Sequence, residues 1–313
     1  MKYRFRSKAV FLIIDPQFRG AMYELIKVTE KCYYINCPSK IGIIRGEDDG
    51  VYLIDSGNSR DTGKKILKIL KQNGWRLLAI YNSHSHADHI GGNKYLQGET
   101  GCKIYAPGIE RDFTRSPILE SSFLYGGFPP EELQRRFMLA EESYAEPLTD
   151  DVLPKGIKAI ALPGHFFDMV GFITDDGAAF IADALSSREI LDKYAISYIY
   201  DVEAYIKTLD SLKNIDAKIF IPSHTEATDN IAPLAEYNIS KVREISELII
   251  SICDTPITFE EILKRVFDFH SLTMSFEQYA LVGSAVRSYL SYLKKTGQVS
   301  ACIAENRLIW KSN

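Results

Sequence analysis

Within Ser83-His84-Ser85-His86-Ala87-Asp88-His89 the chain places three imidazoles and a carboxylate in seven positions. It has only six histidines, so half of them fall in this window. In extended backbone, residues two apart point the same way, and His84, His86 and Asp88 can project together. His89 adjoins Asp88 but begins the next element, so its ring can face a neighbouring point. Imidazoles with a carboxylate suit Zn2+ and similar divalent cations. Three histidines merely exposed in a polar loop is the weaker account, because the apolar run Arg76–Asn82 leads straight into them. Functional groups concentrate at such strand-to-loop junctions.

The elements that must hold this motif can be traced on both sides of it. Glu24–Thr29, Cys32–Asn36, Ile41–Arg45 and Val51–Asp55 are short and rich in β-branched and aromatic residues, as strands are. Residues 61–73 place Ile66, Leu67, Ile69 and Leu70 among lysines, a helical face closed by Gly74. Lys103–Ala106, Ile157–Leu162, Met169–Thr174, Ala178–Ile181 and Lys218–Pro222 are further strands, with a helix carrying Val202, Tyr205, Ile206, Leu209 and Leu212 before the last. Such alternation implies mixed sheets covered by helices.

The motif His84-Ser85-His86-Ala87-Asp88-His89 resembles the signature of the metallo-β-lactamase superfamily, which includes glyoxalase II, ribonuclease Z and lactonases. The resemblance runs from about residue 23 to 235 and extends in order to later positions. Leu162-Pro163-Gly164-His165 resembles the second histidine motif, Ala182-Asp183 the bridging aspartate, and Pro222-Ser223-His224 the last histidine motif. Asp55-Ser56-Gly57 resembles the early Asp-x-Gly element, whose aspartate supports the ligands from behind. After Gly164-His165 the family often has Thr, a small residue and Gly. This chain departs from that with Phe166-Phe167-Asp168-Met169-Val170-Gly171.

The resemblance implies an α/β fold, a four-layer αβ/βα sandwich with the site at one edge between two sheets. It implies two divalent metal ions, zinc foremost, with iron or manganese as alternatives. One metal would take His84, His86 and His165, and the other Asp88, His89 and His224, with Asp183 bridging. A metal-bridged hydroxide would then attack a small ester, thioester or lactone while Asp88 orients the nucleophile. Two other readings stay open: a mononuclear-iron enzyme like the persulfide dioxygenases, and a nucleic-acid-processing metallohydrolase.

Three segments fall outside this pattern. Residues 1–21 read as an N-terminal extension to a catalytic domain over 22–250. Residues 108–150 break the alternation with many aromatics, Gly126-Gly127 and Pro129-Pro130, and form an insertion that could serve as a lid. Tyr125 and Phe128 flank its glycines as candidates for an apolar substrate wall. Residues 251–313 read as helices followed by a β-hairpin around Glu305-Asn306, a small winged-helix-like domain. Thr258-Phe259-Glu260-Glu261 resembles a capping box at its first helix. The remaining histidine, His270, lies there and is expected to be structural.

Composition narrows the partners. The 37 basic and 41 acidic side chains give a net charge of −4, with no global pull toward phosphate backbones or anionic membranes. From Asp254 onward seven basic residues face six acidic ones, a balance of +1 that is low for a DNA-reading wing. That module is expected to serve packing, homodimer formation or the substrate pocket, and nucleic acid is disfavoured as a partner. The five cysteines are odd in number and scattered, as small buried residues in a reducing compartment would be. The apolar run Ala9–Ile14 stops at Asp15-Pro16, too short for a secretory core, so a cytoplasmic protein acting on a small molecule, with no membrane association, is expected.

Overall fold

The computed structural model describes residues 22–135 and 137–313. The expected N-terminal extension, residues 1–21, lies outside the described residues. The first half of the chain runs β1 (Glu24–Lys27), β2 (Cys32–Asn36), β3 (Ile41–Arg45), β4 (Gly50–Ile54), α1 (Arg60–Gln72), β5 (Arg76–Tyr81), α2 (Ala87–Ile90), α3 (Asn93–Thr100) and β6 (Lys103–Ala106). It continues with α4 (Glu110–Arg115), α5 (Ile118–Tyr125) and β7 (Ala145–Pro147). The seven strands form one sheet in sequence order, antiparallel from β1 to β4 and parallel from β4 to β7.

The second half runs β8 (Ile157–Ala161), β9 (Val170–Thr174), β10 (Ala178–Ala182), α6 (Arg188–Tyr194), α7 (Val202–Leu212), β11 (Ile219–Pro222) and α8 (Ala232–Ile252). Its four strands form a second sheet in the order β11-β10-β9-β8. The end of the chain adds β12 (Ile257–Thr258), α9 (Phe259–Phe269), α10 (Phe276–Lys295), β13 (Val299–Ala304) and β14 (Arg307–Ser312), with a three-stranded sheet in the order β12-β14-β13.

Period-2 alternation explains the layering, with one extra residue, Leu78, at a register shift in β5 that puts Leu77 and Ile80 on the same face. On β5, Ala79 and Tyr81 face the second sheet and pack with Phe172, Phe180 and Ile221. Leu77 and Ile80 face the other way, against Ile66 and Leu70 of α1 and Leu96 of α3. The outer face of the second sheet is covered by α7 and α8 through Leu209, Leu212, Val242 and Ile249. Helix, sheet, sheet and helix therefore stack in four layers, as expected for the α/β sandwich. Among the described residues no helix is long and apolar enough to cross a membrane.

One local expectation changes. Thr258 makes no side-chain cap on α9; the capping box of this region lies at Ser275 and Gln278, which open α10. In the segment 108–150, β7 joins the large sheet beside β6, and α4 and α5 pack on the body. All five cysteines are free thiols, four of them buried.

Candidate metal centre

The site lies where strand ends of both sheets meet. His84, His86, Asp88 and His89 follow β5, Asp55 follows β4, Asp183 follows β10, His224 follows β11, and His165 sits in the β8–β9 connection. Asp55 and the residue before Asp183, Ala182, both have positive φ, 62° and 48°, so two carboxylates hang from backbone in the left-handed region that non-glycine residues rarely occupy. Glycine is required beside His165. Gly164 has φ of 121°, and a Cβ there would lie 2.3 Å from the backbone nitrogen of Tyr205 on α7.

Each outer ring nitrogen is engaged away from the centre. His165 Nδ1 lies 3.0 Å from the Tyr198 carbonyl and His224 Nδ1 2.8 Å from the Pro38 carbonyl. A carbonyl only accepts, so both nitrogens carry the proton and the Nε2 atoms present lone pairs inward. His89 Nδ1 donates to Asp55 Oδ2 at 2.8 Å. The same Asp55 oxygen accepts from Ser83 Oγ at 2.7 Å, which leaves that hydroxyl oxygen to accept from His84 Nδ1 at 2.9 Å. One carboxylate thus fixes two rings. His86 is turned the opposite way: its Nδ1 faces inward, 3.1 Å from both His84 Nε2 and His165 Nε2.

The inward atoms form overlapping groups suited to a metal ion: His84, His86 and His165; His84, His89 and Asp183; and Asp88, His89 and His224, with the donor atoms of each group within 4.8 Å of one another. Asp183 stands between them, its Oδ1 3.2 Å from His89 Nε2 and its Oδ2 3.1 Å from His224 Nε2 and 3.7 Å from His165 Nε2. His89 Nε2 and Asp183 Oδ1 are buried without a hydrogen bond. Buried lone pairs facing one another are costly unless something positive sits between them. The donor set therefore fits divalent cations, and all seven sequence-derived positions are brought together. His270 lies apart, at the C-terminal end of α9.

The electrostatics follow from the same neighbours. Burial and the adjoining imidazoles hold His84 and His86 well below the usual histidine range. Burial also disfavours the imidazolium at His224, but the carboxylates of Asp183 and Asp88 outweigh it and push that ring up to about 10. Asp88 is held below the usual carboxylate range: its burial is overcome by His89 and His224, and its Oδ2 also accepts from Ser39 Oγ at 2.7 Å. Among these groups a proton and a cation are alternative occupants.

Two carboxylates from the 108–150 segment were not among the sequence-derived residues. Glu110 accepts from the Ser85 amide at 3.0 Å and the Ser85 hydroxyl at 2.6 Å, and its other oxygen accepts from the Asp168 amide at 3.0 Å. It ties the motif loop to the chain after His165, and burial pushes its carboxyl up to about 7. Glu120 Oε1 lies 3.6 Å from His86 Nε2, the nitrogen that faces away from the centre. At that distance no hydrogen bond is formed, and burial holds His86 below the usual histidine range and Glu120 well above the usual carboxylate range, so the two meet as neutral groups. Phe166 packs on the His86 ring with centroids 4.4 Å apart, and Phe167 on Tyr200 at 4.1 Å. The departure from the family pattern after His165 therefore builds an aromatic support under the candidate ligands.

A cavity of about 470 Å³ opens onto His165, Asp183 and His224. Tyr125 and Phe128 are not among its lining residues; Phe137 and Met138 are what the 108–150 segment contributes to its apolar lining. Phe128 is instead 82% exposed.

A four-layer αβ/βα sandwich with histidines and aspartates at the sheet edges defines a metallo-β-lactamase-like protein. The model of the metallo-beta-lactamase superfamily matches residues 34–224, and the chain belongs to that superfamily. It is 30% identical over 147 residues to a hydroxyacylglutathione hydrolase from Methylococcus capsulatus, 44% of this chain and 48% of that protein. A hydroxyacylglutathione hydrolase from Erythrobacter litoralis is 47% identical over 57 residues, 17% of this chain and 23% of that protein. The chain thus spans about half the length, or less, of these curated relatives. Among solved structures, a beta-lactamase domain protein from Burkholderia ambifaria superposes with a TM-score of 0.74 at 14% identity, covering 95% of this chain and 96% of that one. A metallo-beta-lactamase family protein from Thermus thermophilus gives 0.69 at 18% identity, covering 93% and 98%. Both likenesses speak for the fold, including its C-terminal part.

Proposed function

We propose that the protein is a dinuclear metallohydrolase acting on a small ester, thioester or lactone. The observation that carries this reading is the convergence of six inward-facing donor residues around Asp183, seven with it, more than one catalytic ion with an open position uses. His84, His86 and His165 would hold one divalent cation, and Asp88, His89 and His224 the other, with Asp183 shared. Bound cations supply Lewis acidity and bring the deprotonation of water near neutral pH. Asp88, kept ionised by its imidazole neighbours and braced by Ser39, would accept a hydrogen bond from the attacking water and fix its direction. The activity in the name of the hydroxyacylglutathione hydrolases supports acyl hydrolysis as the reaction class. A cytoplasmic setting belongs to the same reading, supported by the four buried free thiols.

Elemental analysis of purified protein tests the site directly. Two ions per chain are expected, and a stoichiometry of one that added zinc, iron or manganese does not raise would remove the dinuclear reading. Asp183→Ala should lower metal retention far more than His270→Ala, because the latter ring lies outside the cluster. Equal loss in both variants would show that the ligands are misassigned.

A further inference from the structure

We propose that the cavity beside the metal-ligand cluster binds the acyl portion of the substrate and that this portion is uncharged and apolar. The proposal rests on the metallohydrolase reading and narrows its substrate. The cavity's volume of about 470 Å³ suits a small organic ligand. Its floor carries His165, Asp183 and His224, so a group lodged in it places its reactive carbonyl end at the cations. Its sides are aliphatic: Leu185, Ile190 and Ile196 come from the chain around α6, and Leu272, Leu281 and Val282 from the C-terminal helical region. The C-terminal part of the chain is therefore one wall of the site.

Charge decides against a polyanionic conjugate. Apart from the ligand cluster, the charged residues among the described lining are Glu132, Arg135 and Glu277. The guanidinium of Arg135 already lies 3.8 Å from the Glu277 carboxylate. A glutathione thioester carries two carboxylates and one ammonium, and its excess negative charge would meet two acidic side chains and one cation that is already paired. An alkyl or aryl acyl group can lie along the aliphatic side chains, with the serines and Gln278 of the lining at its margins, and is desolvated on entry. The proposed substrate therefore differs from the glutathione conjugate that the curated relatives' names specify.

The test is a calorimetric titration of straight-chain carboxylates from acetate to octanoate, and of glutathione, into the zinc-loaded and the metal-free protein. Affinity should rise by up to about fourfold per methylene until the cavity is filled, the increment that burying one methylene implies. Glutathione should bind no more tightly than acetate. Leu281→Asp should abolish the chain-length gradient, and Val282→Trp, which fills the cavity with apolar volume, should cut it short at the longer acids. An affinity that is flat with chain length, or glutathione binding tighter than octanoate, overturns the proposal. Turnover of a matching series of phenyl esters keeps the two readings apart. Hydrolysis indifferent to chain length leaves a hydrolase and overturns the acyl cavity. A binding gradient with no turnover of any ester leaves the apolar cavity and overturns the hydrolase.

Discussion

Five imidazoles meet at this centre, and what each does is decided by the atom behind it. Pro38 and Tyr198 carbonyls fix His224 and His165, and Asp55 fixes His89 and, through Ser83, His84. His86 has Glu120 behind its Nε2. A carboxylate behind a ligating imidazole orients the ring and raises its basicity, and losing such a partner typically costs about 10–100-fold in metal affinity. Glu120→Ala should show a loss of that size in a chelator competition, whereas Glu120→Gln should retain most of the affinity because its amide oxygen can take the carboxylate's place beside Nε2–H once a cation holds Nδ1. If the alanine variant holds metal as well as the parent, Glu120 is only a packing residue. The seven candidate ligands were legible in the sequence as a set because each follows a strand in an ordered series of short motifs, and the structure places them together. Glu110 and Glu120 were not, because they sit in a segment dominated by aromatics with no recurring spacing. The only signal was a glutamate in each of two short helices, on the face that the neighbouring apolar residues bury.

At the scale of elements, the strands were readable from β-branched alternation, and their observed bounds lie within a residue or two of the expected ones. What the sequence hid were features settled by contacts distant along the chain. The edge strand β7 is three residues long and exists because β6 offers it a parallel partner. Thr258 precedes a glutamate, Glu261, at the capping-box spacing, yet no cap hydrogen bond forms and the chain enters α9 from the short strand β12 instead. Gly164 shows the reverse case, a sequence motif whose reason only the packing reveals. Its positive φ and the backbone of α7 leave no room for a side chain. Gly164→Ala should therefore cost about 2 kcal/mol or more, read as a lowered midpoint in denaturant unfolding, and should loosen His165 as well. A change of only a few tenths would mean that α7 yields easily.

At the scale of the whole molecule, the core crosses the change in sequence texture near residue 250. The texture change after residue 250 reads as a domain boundary, but one apolar cluster runs from Leu162 and Leu209 through Ile245 and Ile249 to Val286, Leu290 and Val299. Helix α8 supplies its middle and belongs to both sides. If the C-terminal part were an independent unit, it would unfold on its own. The shared core predicts one transition, and Leu290→Ala, which opens a cavity worth about 2–5 kcal/mol, should shift that single transition downward. A variant that melts in two steps, with the metal-binding half unmoved, would establish a separate domain. The near-balanced charge of this part was legible early, and it agrees with a surface used for packing and for one side of the cavity.

The carboxylate of Asp55 has a genetic consequence. Ser83, His84 and His89 all depend on it, and these rings belong to different halves of the ligand cluster. A substitution there is pleiotropic, striking both halves at once, whereas changes behind His165 or His224 strike one. Lineages descending from this protein could retune either half by altering the carbonyl-bearing loops at Pro38 or Tyr198, but they have no neutral path through Asp55. The two halves of the centre are inherited together.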